Sequence, residues 1–360
     1  STSTSTSITP NQTEQQTSGV TVTVFGASGF LGRYVCNALA RAGHRLVLPV
    51  RCDDLEIQHL KPLGDLGQIV LLPGFDVRSE EAIAKATEAS TVVFNLIGAR
   101  EATRNFSLKQ VNTDAAERIA RVSAQSPAGV ERFVHFSCAG AGAASPSERL
   151  RTKAAGEAAV KNSFKNGSTI LRLGPCVGIE DSNLNSIAKL AKAMPAVPLI
   201  GGGASRWQPV AAADVAAAAA ATLRSPTAGN NKVYELVGPK TYSFKELTDL
   251  VLDTMREPRA TAYVPAAVAQ LVSRMPLGPL RHPWFTADAV AEATGADLVA
   301  GGVGSPPPAS TGTLADLGVS ATPIEEAIDH LRWLRAGGYD VGTLSENAST
   351  GGAGFGAKVA

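Results

Sequence analysis

The sequence predicts an α/β fold: a doubly wound parallel sheet followed by a smaller C-terminal α/β lobe. Three observations predict it. Short apolar runs alternate with helical patterns from residue 20 to about 175, three glycines break the first strand–helix junction, and the rhythm changes beyond residue 175. Alternation of this kind implies βαβ units, whose right-handed crossovers build a parallel sheet with helices on both faces.

The predicted strands are 21–25 (TVTVF), 45–50 (RLVLPV), 68–72 (QIVLL), 91–97 (TVVFNLI), 132–137 (RFVHFS) and 168–173 (STILRL). Amphipathic stretches lie between them. Over 30–42, for example, Leu31, Val35, Ala38, Leu39 and Ala42 recur at helical spacing. Further on, helical patterns at 183–194 and 212–224, a strand at 232–238 (KVYELVG) and a helix at 243–256 suggest a lobe set over the sheet's carboxyl edge. Residues 258–315 are less regular and mix apolar residues and prolines with basic Arg274, Arg281 and His282. A final helix is expected within 317–338, with Thr322 as N-cap and Pro323 at its first position.

Bulk properties narrow the function classes. The chain has 360 residues, 44% hydrophobic and 18% charged, with a formal net charge of +1. Such a balance gives no electrostatic footing for nucleic acid or an anionic membrane. No stretch supplies the roughly 20 apolar residues of a spanning helix, so the chain is expected not to be transmembrane. Cys36, Cys52, Cys138 and Cys176 are scattered, with no CxxC and no Cys/His cluster. That pattern suits free thiols in a reducing compartment and offers no metal site. Cys138 reads as a buried small hydrophobe, or else as a reactive thiol after its strand.

The chemistry begins at Gly26, Gly29 and Gly32 in VFGASGFLGRYV, directly after a strand and opening a helix. The first glycine permits the tight turn, the second lets backbone N–H groups approach a pyrophosphate, and the third lets helix and sheet pack closely. With a second strand following at the right distance, the triplet points to a Rossmann-type dinucleotide site. The second strand runs into Arg51, whose guanidinium suits the 2′-phosphate of NADP; Asp53 and Asp54 keep open a 2′-hydroxyl contact. Asp76, after the third strand, falls where an adenine amino group would be held, or else caps a helix. Asn95 and Gly98 end the fourth strand beneath the nicotinamide ribose, although a structural polar residue at a strand end would read the same for Asn95. The expected division is a disordered N-terminal arm (1–19), an NADP-binding Rossmann domain (20–175), a smaller lobe (176–340) interleaved with the sheet edge, and a flexible tail (341–360). The Ser/Thr/Gln-rich arm has too little apolar surface to fold, and reads as a linker or as the remnant of an organellar transit sequence.

Over about residues 20–335 the chain resembles the extended or atypical short-chain dehydrogenase/reductases. In that family a serine ends the fifth strand and a Tyr-x-x-x-Lys pair opens the next helix, the tyrosine serving as general acid or base. FVHFS supplies Ser137 at the serine position and ERLRTKAAGE supplies Lys153. The residue four before Lys153 is Arg149, and no tyrosine occurs between Tyr34 and Tyr234. A guanidinium stays protonated and cannot exchange the proton.

A narrower resemblance is to the NADPH-binding accessory subunits of mitochondrial respiratory complex I. It is carried by VFGASGFLGRYV, LPVRCDDLEIQHLKPLGDLGQIV, VVFNLIG with EATRNF, and RLRTKAAGE, and more loosely by WQPVAAADVA and LGVSATPIEEAI. The resemblance implies a permanently bound NADPH that stabilises the fold without being turned over. The implied cofactor set is Gly26, Ser28, Gly29, Phe30, Leu31, Gly32, Arg51, Asp76, Lys153 and the LGPCVG turn around Pro175. It also implies other complex I subunits as partners, lipid contact through the C-terminal lobe, and a peripheral place on the matrix side of the inner membrane. Members of this family can keep a tyrosine where Arg149 stands. Two other readings remain open: a working NADPH-dependent reductase or epimerase, and an NADPH-sensing regulator.

Overall fold

The protein is described by a computed structural model covering residues 19–53, 56–165, 167–224, 231–274, 286–295, 297–301 and 311–331. Residues 1–18 of the expected arm, Asp54, Arg281, His282 and the tail at 341–360 lie outside the described residues.

The first half alternates as its periodicity predicts: β1 (Thr21–Phe25), α1 (Phe30–Arg41), β2 (Arg45–Pro49), β3 (Ile69–Leu72), α2 (Glu80–Thr87), β4 (Val92–Asn95), α3 (Ala115–Ala124), β5 (Arg132–Cys138), α4 (Glu148–Ser163) and β6 (Ser168–Leu173). A single turn of π-helix, Gln110–Asp114, leads into α3. These six strands lie side by side, all parallel, in the order β3-β2-β1-β4-β5-β6. Strand order reverses between β1 and β4, which opens a crevice at their carboxyl ends.

Each strand is apolar along its length because both faces are covered. Val22, Val24, Phe94, Val134 and Leu171 point to the side of α1, while Phe25, Val93, Phe133 and Ile170 point to the side of α2 and α3. Ser79 caps α2, its hydroxyl accepting from the Ala82 N–H at 3.1 Å. Ser147 caps α4.

The second half continues with β7 (Cys176–Val177), α5 (Leu184–Ala193), β8 (Ala196–Ile200), β9 (Arg206–Trp207), β10 (Val210–Ala211), α6 (Ala212–Arg224), β11 (Lys232–Leu236), β12 (Tyr242–Ser243), α7 (Phe244–Met255), β13 (Ala260–Val264), α8 (Ala266–Arg274), α9 (Ala287–Gly295), β14 (Gly312–Thr313) and α10 (Ile324–Ala327). Its own core gathers Leu184, Ile187, Leu199, Phe244, Leu247 and Val251.

Two features differ from the sequence reading. The strand expected in the lobe, β11, instead extends the main sheet, parallel to β6 and followed by β14. The alanine-rich α6 explains this: its small side chains let it lie close against α1, so it serves as the crossover helix of one more βαβ unit. The last helix starts one residue later than expected, with Pro323 in the capping position. Thr322 is otherwise engaged, giving its backbone N–H and its hydroxyl to the Asp214 carboxylate at 2.7 and 2.9 Å.

Candidate functional site

The strand order sets the predicted site residues in a row. Asp76 follows β3, Arg51 follows β2, the glycines follow β1, Gly98 follows β4, and Ser137 lies near the end of β5. They follow one another along the carboxyl edge of the sheet.

Two of the glycines at the centre of the row, Gly26 and Gly32, leave no place for a side chain. Gly26 adopts φ +85°, and a Cβ there would stand 3.1 Å from the Leu96 backbone. A Cβ on Gly32 would lie 2.2 Å from the Gly26 carbonyl oxygen, so α1 and β1 touch through backbone. Gly29 occupies the N-cap of α1 and provides no side-chain cap; no acidic residue stands in the first turn. The N–H groups of Phe30, Leu31 and Gly32, next to half-buried Ser28, are therefore oriented for an external anion. Phe30 and Tyr34 form an edge-on ring pair, and both face Gly178 on the loop after β7. Arg33 on the same helix ion-pairs with Glu180 of that loop.

At the outer end, Arg51 and Asp53 are both exposed. Asp76 is exposed and does not cap α2, a role Ser79 fills; one of its oxygens accepts from the Arg78 N–H at 2.9 Å.

At the inner end Lys153 is the hub. Its ammonium donates to the Phe136 carbonyl at 3.2 Å and stands 2.5 Å from where a Gly98 Cβ would be, so Gly98 is what admits it. Burial lowers its pKa, an effect opposed by Cys138 and reinforced by the nearby charge of Arg149. Ser137 is buried, and its Oγ has no hydrogen-bond partner among the described residues. Asn95 makes the contacts of a structural residue at a strand end. It is fully buried, its Oδ1 accepting from the Ile97 N–H at 3.1 Å and its amide nitrogen 3.3 Å from His135 Nδ1. Pro175 is buried too, and its carbonyl accepts from the Val210 N–H at 3.0 Å, tying the turn after β6 to β10.

Asn112 belongs to no sequence motif of the site. Buried in the π-turn, its Oδ1 accepts from the Ala99 N–H at 2.9 Å and its amide donates to the Thr152 hydroxyl at 3.1 Å. It thereby fastens the loop carrying Gly98 to the helix carrying Lys153. Its one sequence signal is an asparagine within a helical pattern, where the side chain competes with backbone bonding.

Arg149 occupies the first turn of α4, one turn before Lys153. Its guanidinium grips Glu292 of α9 in a two-pronged pair, Nε to Oε1 at 2.8 Å and Nη2 to Oε2 at 2.9 Å. The Ser147 hydroxyl donates to the same carboxylate at 2.9 Å. Burial would lower the Arg149 pKa, but the Glu292 charge outweighs it and the net shift is upward. Burial alone would likewise raise Glu292, and the Arg149 charge leaves it lowered. This group holds its proton.

The residues present fit a nicotinamide dinucleotide: a glycine turn closed to a Cβ at Gly32, an uncapped helix N-terminus, an exposed arginine and carboxylate at one end of the row, and a lysine with an unpartnered serine at the other. Among the described residues no cluster could hold a metal ion.

The model of the NAD dependent epimerase/dehydratase family matches residues 22–236, which sets the class of the fold and its crevice. The dTDP-glucose 4,6-dehydratase DesIV from Streptomyces venezuelae, solved with NAD and TYD bound, superposes with a TM-score of 0.65 at 15% identity, covering 88% of this chain and 97% of that one. That likeness is one of fold. Sequence relatives are closer. NADH dehydrogenase (ubiquinone) 1 alpha subcomplex subunit 9, mitochondrial, is 37% identical over 318 residues in Rattus norvegicus, covering 88% of this chain and 80% of that one. Its Arabidopsis thaliana counterpart is 41% identical over 256 residues, 71% of this chain and 63% of that relative's length. The chain belongs to the mitochondrial NADH dehydrogenase alpha subcomplex subunit 9 family.

Proposed function

We propose that this protein is a non-catalytic accessory subunit of mitochondrial respiratory complex I, peripheral on the matrix side of the inner membrane, that holds NADPH as a structural ligand. The names of its relatives support the assembly. One observation carries the inertness: where a reductase of this class needs an exchangeable proton, Arg149 is locked to Glu292. A guanidinium so paired neither gives nor takes a proton at any physiological pH.

The nucleotide-holding set is Gly26, Ser28, Gly29, Phe30, Leu31, Gly32, Arg51, Asp76, Gly98, Ser137, Lys153 and Pro175, with Asn95 acting through the loop that it holds. Arg51 selects the 2′-phosphate. When bound, the nicotinamide would supply a hydride, and nothing at Arg149 accompanies it with a proton. What the ligand supplies instead is binding free energy: held at a thousand times its dissociation constant, it stabilises the fold by about 4 kcal/mol. Partner subunits, and lipid, are proposed to meet the C-terminal lobe, where Tyr263, Val268 and Leu271 are 69%, 49% and 58% exposed. Among the described residues no helix is long and apolar enough to cross a membrane.

Lys153 and Ser137 stand at the sequence positions that a working reductase of this class uses, which makes turnover the competing reading. Native electrophoresis of mitochondrial membranes decides between them. Co-migration with complex I, with NADPH recovered from the band, is expected. A free protein that oxidises NADPH with a carbonyl substrate, and loses that activity in Lys153→Ala, would overturn the proposal.

A further inference from the structure

A second cavity lies between the sheet edge and the lobe, beyond Arg149. Its volume is about 60 Å³ and it opens to solvent; Pro198, Ile200, Trp207 and Phe244 form much of its wall, with Asn183 and Ser205 as polar lining. Arg100 and Glu292 are its charged lining residues. The Glu292 carboxylate is already matched by Arg149. Arg100 makes no hydrogen bond or ion pair with a described residue, and it is exposed, so it stands on the solvent side of the cavity. The result is a hollow with largely apolar walls and, at its mouth, an arginine that makes no ion pair with a described residue. A sugar nucleotide would find few polar partners on these walls.

We propose that this cavity binds a monoanion with an apolar tail, a medium-chain fatty carboxylate, with its head on Arg100 and its tail against Trp207 and Phe244. The planar guanidinium matches a carboxylate with two parallel hydrogen bonds. One arginine free of hydrogen-bonded carboxylates suits a single carboxylate head. This inference goes beyond the nucleotide reading and does not depend on it.

The test is titration of the full chain, with its nucleotide content measured alongside, followed by calorimetry and tryptophan fluorescence. The probes are butyrate, hexanoate, octanoate, octanamide and octyl phosphate. Affinity is expected to rise about fourfold per methylene from butyrate to octanoate. Octanoate should bind at least about tenfold more tightly than octanamide, and Arg100→Gln should erase that difference. Trp207→Phe should remove the fluorescence response while calorimetric binding persists. Equal binding of octanoate and octanamide to the unmodified chain would overturn the proposal without any variant. So would affinity independent of chain length, or octyl phosphate binding tenfold more tightly than octanoate, which would assign the site to a phosphate headgroup.

Discussion

Breaking the Arg149–Glu292 pair is the most informative perturbation of stability. The two side chains are 15% and 11% exposed, so each is largely withdrawn from water. Glu292→Gln leaves Arg149 buried beside the Arg100 charge and takes one ionic acceptor from Ser147. Removing one partner of a buried pair costs about 3–5 kcal/mol, and the residual exposure here argues for about 3. Replacing both by leucine leaves no orphaned charge and should recover most of that loss. Urea unfolding of Glu292→Gln, Arg149→Leu and the double variant Arg149→Leu/Glu292→Leu measures the coupling directly. The expected result is two singles destabilised by about 3 kcal/mol and a double near the parent. Singles within about 0.5 kcal/mol of the parent, or a double equal to their sum, would refute the view that this pair clamps α4 to α9.

Three further outcomes follow from the site. His135 is fully buried, and burial, helped by Lys153, lowers its pKa to about 3. The unfolded chain therefore binds a proton below about pH 6.5 that the fold does not, so stability is full above that pH and falls by about 1.4 kcal/mol per unit as pH drops toward 3. Between pH 6.5 and 5, unfolding free energies of His135→Asn should lack this slope, and an unchanged slope would assign it to other groups. Arg51→Glu should weaken NADPH at least about tenfold while sparing NADH, read by equilibrium dialysis; equal loss of both would move the 2′-phosphate away from Arg51. Glu180→Gln, which frees the Arg33 contact between α1 and the loop after β7, should speed NADPH release about three- to fivefold, and an unaltered release rate would show that this contact does not retain the nucleotide.

Much of the sheet was legible because its strands are covered on both faces and so carry uninterrupted apolar runs. Strand ends were less so: the run predicted over 91–97 stops at Asn95, whose own side chain captures the Ile97 N–H and turns the chain. Periodicity marks 232–236 as a strand without saying which neighbour it pairs with, so its place beside β6 in the main sheet is visible only in the fold. The glycine triplet was readable because its constraint is local: Gly32 meets Gly26 within a single turn. Arg149 was readable only as a missing tyrosine. Its partner Glu292 lies 143 residues away, and no spacing rule reaches that far. Asn112 is equally hidden from local pattern, because its role comes from elements that meet only in the fold.

The most direct measurement is the redox state of the nucleotide in the assembled complex during sustained respiration. Complex I is driven with NADH through many turnovers, denatured rapidly, and its NADPH and NADP⁺ are quantified per chain. A structural ligand remains as about one NADPH per chain, unchanged by the number of turnovers. NADP⁺ that accumulates with turnover, and ceases to do so in Lys153→Ala, would contradict an idle hydride.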